Sequence, residues 1–263
     1  MNDLSSTRFD DTTWTTLYRI GGIAALVMVI VFRRNFGTEL TTFNGFGLFD
    51  VPTTAPVNAE GWFALFQRRP FLGLVLFELF DIVNYLLVGF IFLALYGALH
   101  KTNRSIMLIV MACGLAGVVV YLASNQAFAM LSLSQRHAAA TTETQRDLFL
   151  AAGEALLAIH NAGTMYQGTG IYLSLFLVLL AGLLSSFVMM RGGVFNRATA
   201  ITGLLANGLG LSYFMILSLA PAICWISPTL SAPFRMAWYV LIALRLFRLG
   251  RKSQPHLQGD TNL

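Results

Sequence analysis

The sequence predicts an all-α polytopic membrane protein, a bundle of six spanning helices with amphipathic surface helices in two long outer loops. Of its 263 residues, 56% are hydrophobic and only 11% are charged, whereas about 25% of the residues of a soluble domain are charged. The apolar residues form runs that approach the roughly 20 residues needed to cross a bilayer. This composition excludes a disordered protein, a nucleic-acid-binding module and an ordinary cytosolic enzyme.

Six apolar runs are interpreted as spans of a single membrane domain. The first begins at Trp14 and Tyr18, and its wholly apolar part is short, Ile20 to Phe32. The sixth carries Pro233 in its first turn, where proline is tolerated. The predicted spans are 14–33, 71–98, 106–131, 168–190, 198–220 and 230–249.

The distribution of basic residues predicts the orientation. The short turns 99–105 and 191–197 contain basic residues and no acid, whereas the long loops carry acids beside their arginines. Lysine and arginine favour the cytoplasmic side of a membrane, so we expect both termini in the cytoplasm. Arg33 and Arg34 oppose this orientation. Because the basic residues lie at the ends of apolar runs, the net charge of +5 predicts contact with membrane lipids and none with nucleic acid.

Both long loops contain amphipathic segments. Residues 61–70 place aromatic side chains beside Arg68 and Arg69, as interfacial anchors do. In residues 143–159 an apolar stripe with helical spacing faces away from the acids. We interpret this segment as a helix on the membrane surface, with a lid over a cavity as the alternative. The stripe comprises Leu148, Ala151, Ala152, Ala155 and Ile159.

The two inner turns resemble each other. They read HKTNRSIM and GVFNRATA, so that Asn103-Arg104 matches Asn196-Arg197. Each turn follows a long outer loop with an amphipathic segment. We therefore predict a parallel repeat of 61–131 and 143–220, as occurs in some transporters.

Sequence motifs of known reactions are absent. The chain has no HExxH, no GxSxG and no phosphate-binding loop. Its four histidines lack metal-ligand spacing, and Cys113 and Cys224 lie apart in apolar stretches, where they pack as small hydrophobic residues. We expect no metal and no cofactor, and the oligomeric state is left open.

Two stretches resemble a known family. They are ALYGALHKTNRSIMLIVMACGLAG and the region from IHNAGTMYQGTG to NRATAITGLLANGLG. Both are similar to a bacterial family of six-helix membrane proteins that is described only as a domain of unknown function. The resemblance covers roughly residues 70–250 and includes His160 and the turn from Arg191 to Arg197. It implies six helices and a bacterial inner membrane, and it implies no activity.

Span two carries the most informative polar residues. In a regular helix they share an arc of about 120° on one face, and a carboxylate at this depth costs about 3 kcal/mol or more unless it faces protein or water. The rise per residue of a helix gives the depth of each residue along its span, a calculation that we call the rise arithmetic. It places Asn125 level with Glu78 and Tyr121 level with Asp81. It also places Arg235 near enough to Asp81 to pair with it. The predicted intramembrane polar site is Glu78, Asp81, Asn84, Tyr85, Tyr121, Asn125 and Arg235.

Three functional hypotheses follow. The first is a non-catalytic structural, sensory or assembly protein with a packed core, in which the polar site is only a clasp between helices. The second is a small transporter or ligand-binding protein with a polar cavity at Glu78, Asp81 and Arg235. The third is an intramembrane lipid-modifying enzyme, which requires either His160 within a few ångströms of Glu78 or a bound metal. The rise arithmetic places His160 at the outer surface, so no catalytic residue is predicted.

Overall fold

The computed structural model describes residues 14–35, 56–160 and 168–252, except the side chains of 31–35 and 252. Within these ranges every regular element is a helix and no strand is present, as the sequence predicts. Helices suit an apolar chain because each satisfies its own backbone hydrogen bonds without water. The α-helices are α1 Thr15–Asn35, α2 Ala59–Arg68, α3 Pro70–Leu74, α4 Phe80–Leu99, α5 Arg104–Ser124, α6 Ala127–Ala139, α7 Glu143–Ile159, α8 Thr169–Gly192, α9 Arg197–Leu219 and α10 Ile226–Lys252.

Two short elements complete the description. A π-helix, Val75–Leu79, joins α3 to α4, and a 3₁₀-helix, Pro221–Ile223, precedes α10. The matching asparagines of the two inner turns perform the same task. The Asn103 side chain accepts a hydrogen bond from the Ile106 N–H, and that of Asn196 accepts one from the Thr199 N–H. Each therefore caps the start of the helix that follows.

Five helical stretches of the described residues are long and apolar enough to cross a membrane. The first predicted span corresponds to α1, whose described apolar part, Thr15–Ile30, is shorter. The predicted span 106–131 differs from the structure, because α5 ends at Ser124 and a second helix, α6, continues to Ala139. The five stretches are Pro70–Leu99, Arg104–Ala139, Thr169–Gly192, Arg197–Leu219 and Pro221–Arg251.

The chain divides into two compact units. The described part of unit one is 14–30, 86–118 and 176–252. Its core is built from large side chains of α4 and α10, such as Leu95 and Trp238. Its helices approach one another at small residues. A Cβ on Gly203 of α9 would overlap the Ser186 hydroxyl of α8, and one on Gly182 would overlap the Asn207 side chain.

The described part of unit two is 31–35, 56–85, 119–160 and 168–175. Its core gathers aromatic residues of α2 and the π-helix around α6 and α7, including Trp62, Phe63, Phe66 and Phe77. The predicted amphipathic segment 143–159 forms α7. The face that packs inward carries Gly153 and Leu157, whereas Leu148 and Ile159 of the predicted stripe are 65% and 67% exposed.

Candidate functional site

A break in the second predicted span lies at the centre of unit two. Backbone geometry is not helical at Phe77 (φ −95°, ψ 38°) or at Glu78 (φ 71°, ψ 26°), inside the π-helix Val75–Leu79. Glu78 is the one non-glycine residue of the described chain with a positive φ. A side chain in this left-handed conformation costs about 1–2 kcal/mol, and such strain, like π-helical geometry, is concentrated at functional sites.

The break changes the predicted arrangement of the polar residues. The prediction that the polar residues share an arc of about 120° assumed a regular helix through Glu78. This assumption is wrong, because the backbone is not helical at Phe77 and Glu78. Asp81, Asn84 and Tyr85 do lie on the regular α4. There the Asn84 amide donates to the Asp81 carboxylate, Nδ2 to Oδ1, at 2.9 Å. This contact joins neighbours three residues apart on one helix face.

Tyr121 and Asn125 of the third predicted span meet Glu78. The Tyr121 hydroxyl donates to Glu78 Oε2 at 3.2 Å, and Asn125 Nδ2 donates to the Tyr121 hydroxyl at 3.2 Å. Asn125 Oδ1 also accepts the Ala127 N–H at 3.0 Å, at the start of α6. The Tyr85 and Tyr121 rings stack with centroids 3.7 Å apart and planes 5° from parallel. A chain of hydrogen bonds therefore runs from Asn125 through Tyr121 to the Glu78 carboxylate.

His160 is part of the same cluster. Its Nε2 lies 3.3 Å from Glu78 Oε2, with side chains 2% exposed for His160 and 10% for Glu78. The sequence predicts His160 as an outer-surface residue apart from the intramembrane polar site, whereas the structure brings its side chain beside Glu78. The rise arithmetic treated the second predicted span as one straight helix, whereas its backbone is not helical at Phe77 and Glu78.

The position of His160 on α7 explains its direction. Gly153, Leu157 and His160 follow the i, i+4, i+7 pattern of one helix face, and all three are buried. His160 is the C-cap, with extended backbone and its N–H bonded to the Leu156 carbonyl. This spacing was readable in the sequence, but the prediction considered only the apolar stripe that includes Leu148 and Ile159, both of which are exposed in the structure.

Aromatic residues surround the pair. The Phe77 ring lies 5.7 Å from the His160 ring and 4.7 Å from the Trp62 ring, the latter in an edge-to-face arrangement. Phe66 extends the group, with its ring 6.2 Å from that of Phe77. Sequence reasoning assigned Trp62 and Phe66 to the membrane interface, but both side chains are fully buried in unit two. They pack against Phe77, which in turn lies against the His160 ring, so one side of the Glu78–His160 pair faces an apolar cluster, where electrostatic interactions are stronger than in water.

Arg235 lies in α10 of unit one, beside a cavity of about 10 Å³ lined also by Asn207, Trp238 and Tyr239. Its pairing with Asp81 stays a prediction. The residues described contain no group of three His, Cys, Asp or Glu side chains arranged to hold a metal ion. The cluster instead combines a carboxylate, an imidazole and a phenol within hydrogen-bonding reach, which are groups that accept, donate and pass protons.

Comparison of the chain with known protein-family models, with curated proteins and with solved structures gave no match. The resemblance to the six-helix bacterial family therefore stays a prediction.

Proposed function

We propose that this chain is a six-span protein of a bacterial inner membrane that binds and releases a proton at the Glu78–His160 pair, as a proton-linked transporter does. The observation that carries the proposal is the 3.3 Å approach of His160 Nε2 to Glu78 Oε2 at a break in an apolar helix. Interrupted helices with ionisable groups near the middle of the membrane are typical of ion-coupled transporters, and intramembrane ionisable residues are functional by default.

The six-span topology rests on helix lengths and exposed faces. To the five long apolar stretches, α1 adds a helix of 21 residues whose described apolar part is Thr15–Ile30. At about 1.5 Å per residue the whole helix extends about 31 Å, so it reaches across a hydrocarbon core of about 30 Å with its charged residues toward the ends. The exposed stripe of α7, with Leu148 and Ile159, supports a helix lying on the membrane with its apolar side toward lipid.

The topology is tested with fusions at the chain end. Six spans place both termini on the same side of the membrane, and the basic turns 99–105 and 191–197 make that side the cytoplasm. Alkaline phosphatase fused after Lys252 is therefore expected to be inactive and green fluorescent protein at the same position to be fluorescent. Active phosphatase and dark fluorescent protein would contradict this orientation, and Arg33 and Arg34 would then mark the cytoplasmic side.

The chemistry of the pair follows from charge balance. With one proton shared between Glu78 and His160 the pair is neutral, and a second proton makes it cationic, whereas loss of the first leaves an anion. A shielded, low-dielectric site favours the neutral state. Binding of a small charged ligand next to the pair therefore shifts its proton occupancy. The other titratable groups near Glu78 are Tyr121, which donates to its carboxylate, and Asp81 on the following helix.

Infrared difference spectroscopy of the purified full chain tests proton binding directly. Spectra recorded at stepped pH are expected to show a carboxyl band that Glu78→Gln abolishes and whose pH dependence His160→Gln changes. Glu154→Gln is the matched control, because Glu154 is an exposed glutamate of unit two, and it is expected to keep the band. A band insensitive to both Glu78→Gln and His160→Gln would overturn the proposal.

The same variants distinguish proton binding from the alternative in which the polar residues only hold helices together, as a clasp in a non-catalytic protein. A clasp predicts that Glu78→Gln and His160→Gln lower the unfolding temperature, while no carboxyl band follows pH in the wild type. In that case the structural, sensory or assembly role would be the better description.

A second candidate function is acid–base catalysis on a lipid-soluble substrate. It is favoured by the geometry that this hypothesis required, His160 within a few ångströms of Glu78, and by the aromatic surroundings of Phe77 and Trp62. Mass spectrometry of lipids incubated with the wild type and with His160→Gln separates the two candidates. A product formed only by the wild type supports the enzyme, and unchanged lipids support proton-linked transport.

A further inference from the structure

A cavity in unit one lies apart from the carboxylate site. It has a volume of about 130 Å³ and is formed between the start of α9 and the last third of α10. One wall is apolar, from Leu241 and Leu244, and the opposite side is polar. The lining residues are Asn196, Thr199, Leu241, Leu244, Arg245 and Arg248.

Two arginines supply the charge of this cavity. Arg245 and Arg248 are three residues apart on α10 and therefore lie on one face of the helix. The Nε of Arg245 donates to the Val194 carbonyl, which fixes the direction of its guanidinium group. A guanidinium has five N–H donors, so one such bond leaves donors available for an anion. Arg248 is exposed.

The described residues of unit one offer these arginines no carboxylate. The sequence contains no Asp or Glu between Glu154 and Asp260, and none in 82–142. The described part of unit one consequently contains arginines and lysines but no acidic side chain. Two neighbouring cations in a cavity repel each other unless an anion lies between them. No side chain in the described part of unit one supplies a counter-charge for Arg245 and Arg248, which leaves the cavity suited to an anion.

The polar residues of the opposite side are already engaged. Asn196 Oδ1 accepts the N–H of Thr199 at 2.9 Å and the Thr199 hydroxyl as well. The cap of α9 is thus satisfied within the protein. The two guanidinium groups are therefore the groups of the cavity that can bind an anion. Their planar N–H donors match the oxygens of a phosphate.

We infer that this cavity is a binding site for a phosphate group, carried by an anionic phospholipid or present as free phosphate. The apolar wall of Leu241 and Leu244 next to two arginines resembles the basic pockets between membrane helices that hold lipid head groups. This site is independent of the Glu78–His160 pair, so neither assignment depends on the other.

Native mass spectrometry of the delipidated full chain tests the inference. Phosphatidylglycerol is the anionic probe and phosphatidylcholine the zwitterionic one. Arg248→Gln removes a cation that makes no described contact within the protein, so the fold is expected to persist. Arg251→Gln is the matched control, an exposed arginine of the same helix outside the cavity. We expect Arg248→Gln to weaken phosphatidylglycerol binding about tenfold and Arg251→Gln to leave it unchanged.

Inorganic phosphate distinguishes the two sources. If the site takes a lipid head group, phosphate competes weakly with phosphatidylglycerol, and the lipid alone raises the unfolding temperature of the wild type. If phosphate alone raises it to the same extent, and Arg248→Gln abolishes this effect, the ligand is the free ion. Equal binding of phosphatidylglycerol by Arg248→Gln and Arg251→Gln, with no effect of phosphate on either, would overturn the assignment.

Discussion

Unit one and unit two use their polar residues differently. All carboxylates of the described residues belong to unit two, and the described part of unit one has only basic charged side chains. The acidic residues of unit two are Glu60, Glu78, Asp81, Glu143, Asp147 and Glu154. Charge in unit one serves contacts at the ends of helices, whereas unit two places one carboxylate, Glu78, in its interior beside a histidine.

The helices of the two units differ in the same way. In unit one, α9 runs without interruption and packs at glycines such as Gly203. In unit two, regular helix is interrupted at Arg69, at the π-helix and at Asn125. Each interruption frees backbone groups that need partners. At the third one, Asn125 Oδ1 accepts the Ala127 N–H, while its Nδ2 donates to the Tyr121 hydroxyl. Asn125 therefore links a helix start in unit two to the cluster of Glu78, Tyr121 and His160.

The largest expected effect concerns the buried pair of unit two. Removing one member leaves the other buried without its partner, which costs about 3 kcal/mol or more. We expect His160→Gln alone to be more destabilising than the double variant Glu78→Gln/His160→Gln, with a coupling of about 1–3 kcal/mol in a double-mutant cycle. Unfolding free energies in detergent provide the measurement. Additive effects would mean that the two side chains are not coupled.

A glycine of unit one is expected to give the next largest effect. Gly203→Ala would push a methyl group into the Ser186 hydroxyl and the Trp238 ring, so we expect a loss of about 2 kcal/mol. Gly208→Ala on the same helix is the matched control, because its nearest neighbour, Leu183 Cδ1, would be 3.9 Å away. There alanine is expected to be neutral or stabilising. Equal losses at both positions would contradict the close approach of α8 and α9.

In a helix an alanine variant is usually more stable than a glycine variant, and the strained backbone of Glu78 predicts the reverse order at this position. With φ at 71°, Glu78→Gly is expected to be more stable than Glu78→Ala by about 1 kcal/mol, since glycine adopts this conformation freely. At Glu154, within the regular helix α7, the alanine variant is expected to be the more stable by about 1 kcal/mol. The same order at both sites, measured by unfolding in detergent, would rule out the strain.

The sequence predicted the structure well where the helices are regular and poorly where they are interrupted. Composition and apolar run length were sufficient for the all-helical fold. The rise arithmetic placed Asn125 level with Glu78 and Tyr121 level with Asp81, whereas in the structure Tyr121 donates to Glu78 and Asn125 donates to Tyr121. It failed for His160, since one left-handed residue redirects the chain and no local pattern around Glu78 marks it. The predicted helix over 143–159 is present as α7, but its buried face, which carries the small Gly153 beside Leu157, was not identified from the sequence.

The smallest expected effect tests how the acids of unit two serve its helix ends. Glu154 Oε1 accepts the Ala59 N–H at 2.8 Å, at the first residue of α2. A carboxylate at a helix N-terminus stabilises by about 0.3–1 kcal/mol, so Glu154→Gln is expected to lower the unfolding free energy by about 0.5 kcal/mol. Asp147→Asn, on the exposed surface of the same helix, is expected to change it less. Because salt screens such an exposed interaction, the difference between the two variants should shrink at high ionic strength. A difference that persists unchanged in salt would show that Glu154 acts through packing rather than through its charge.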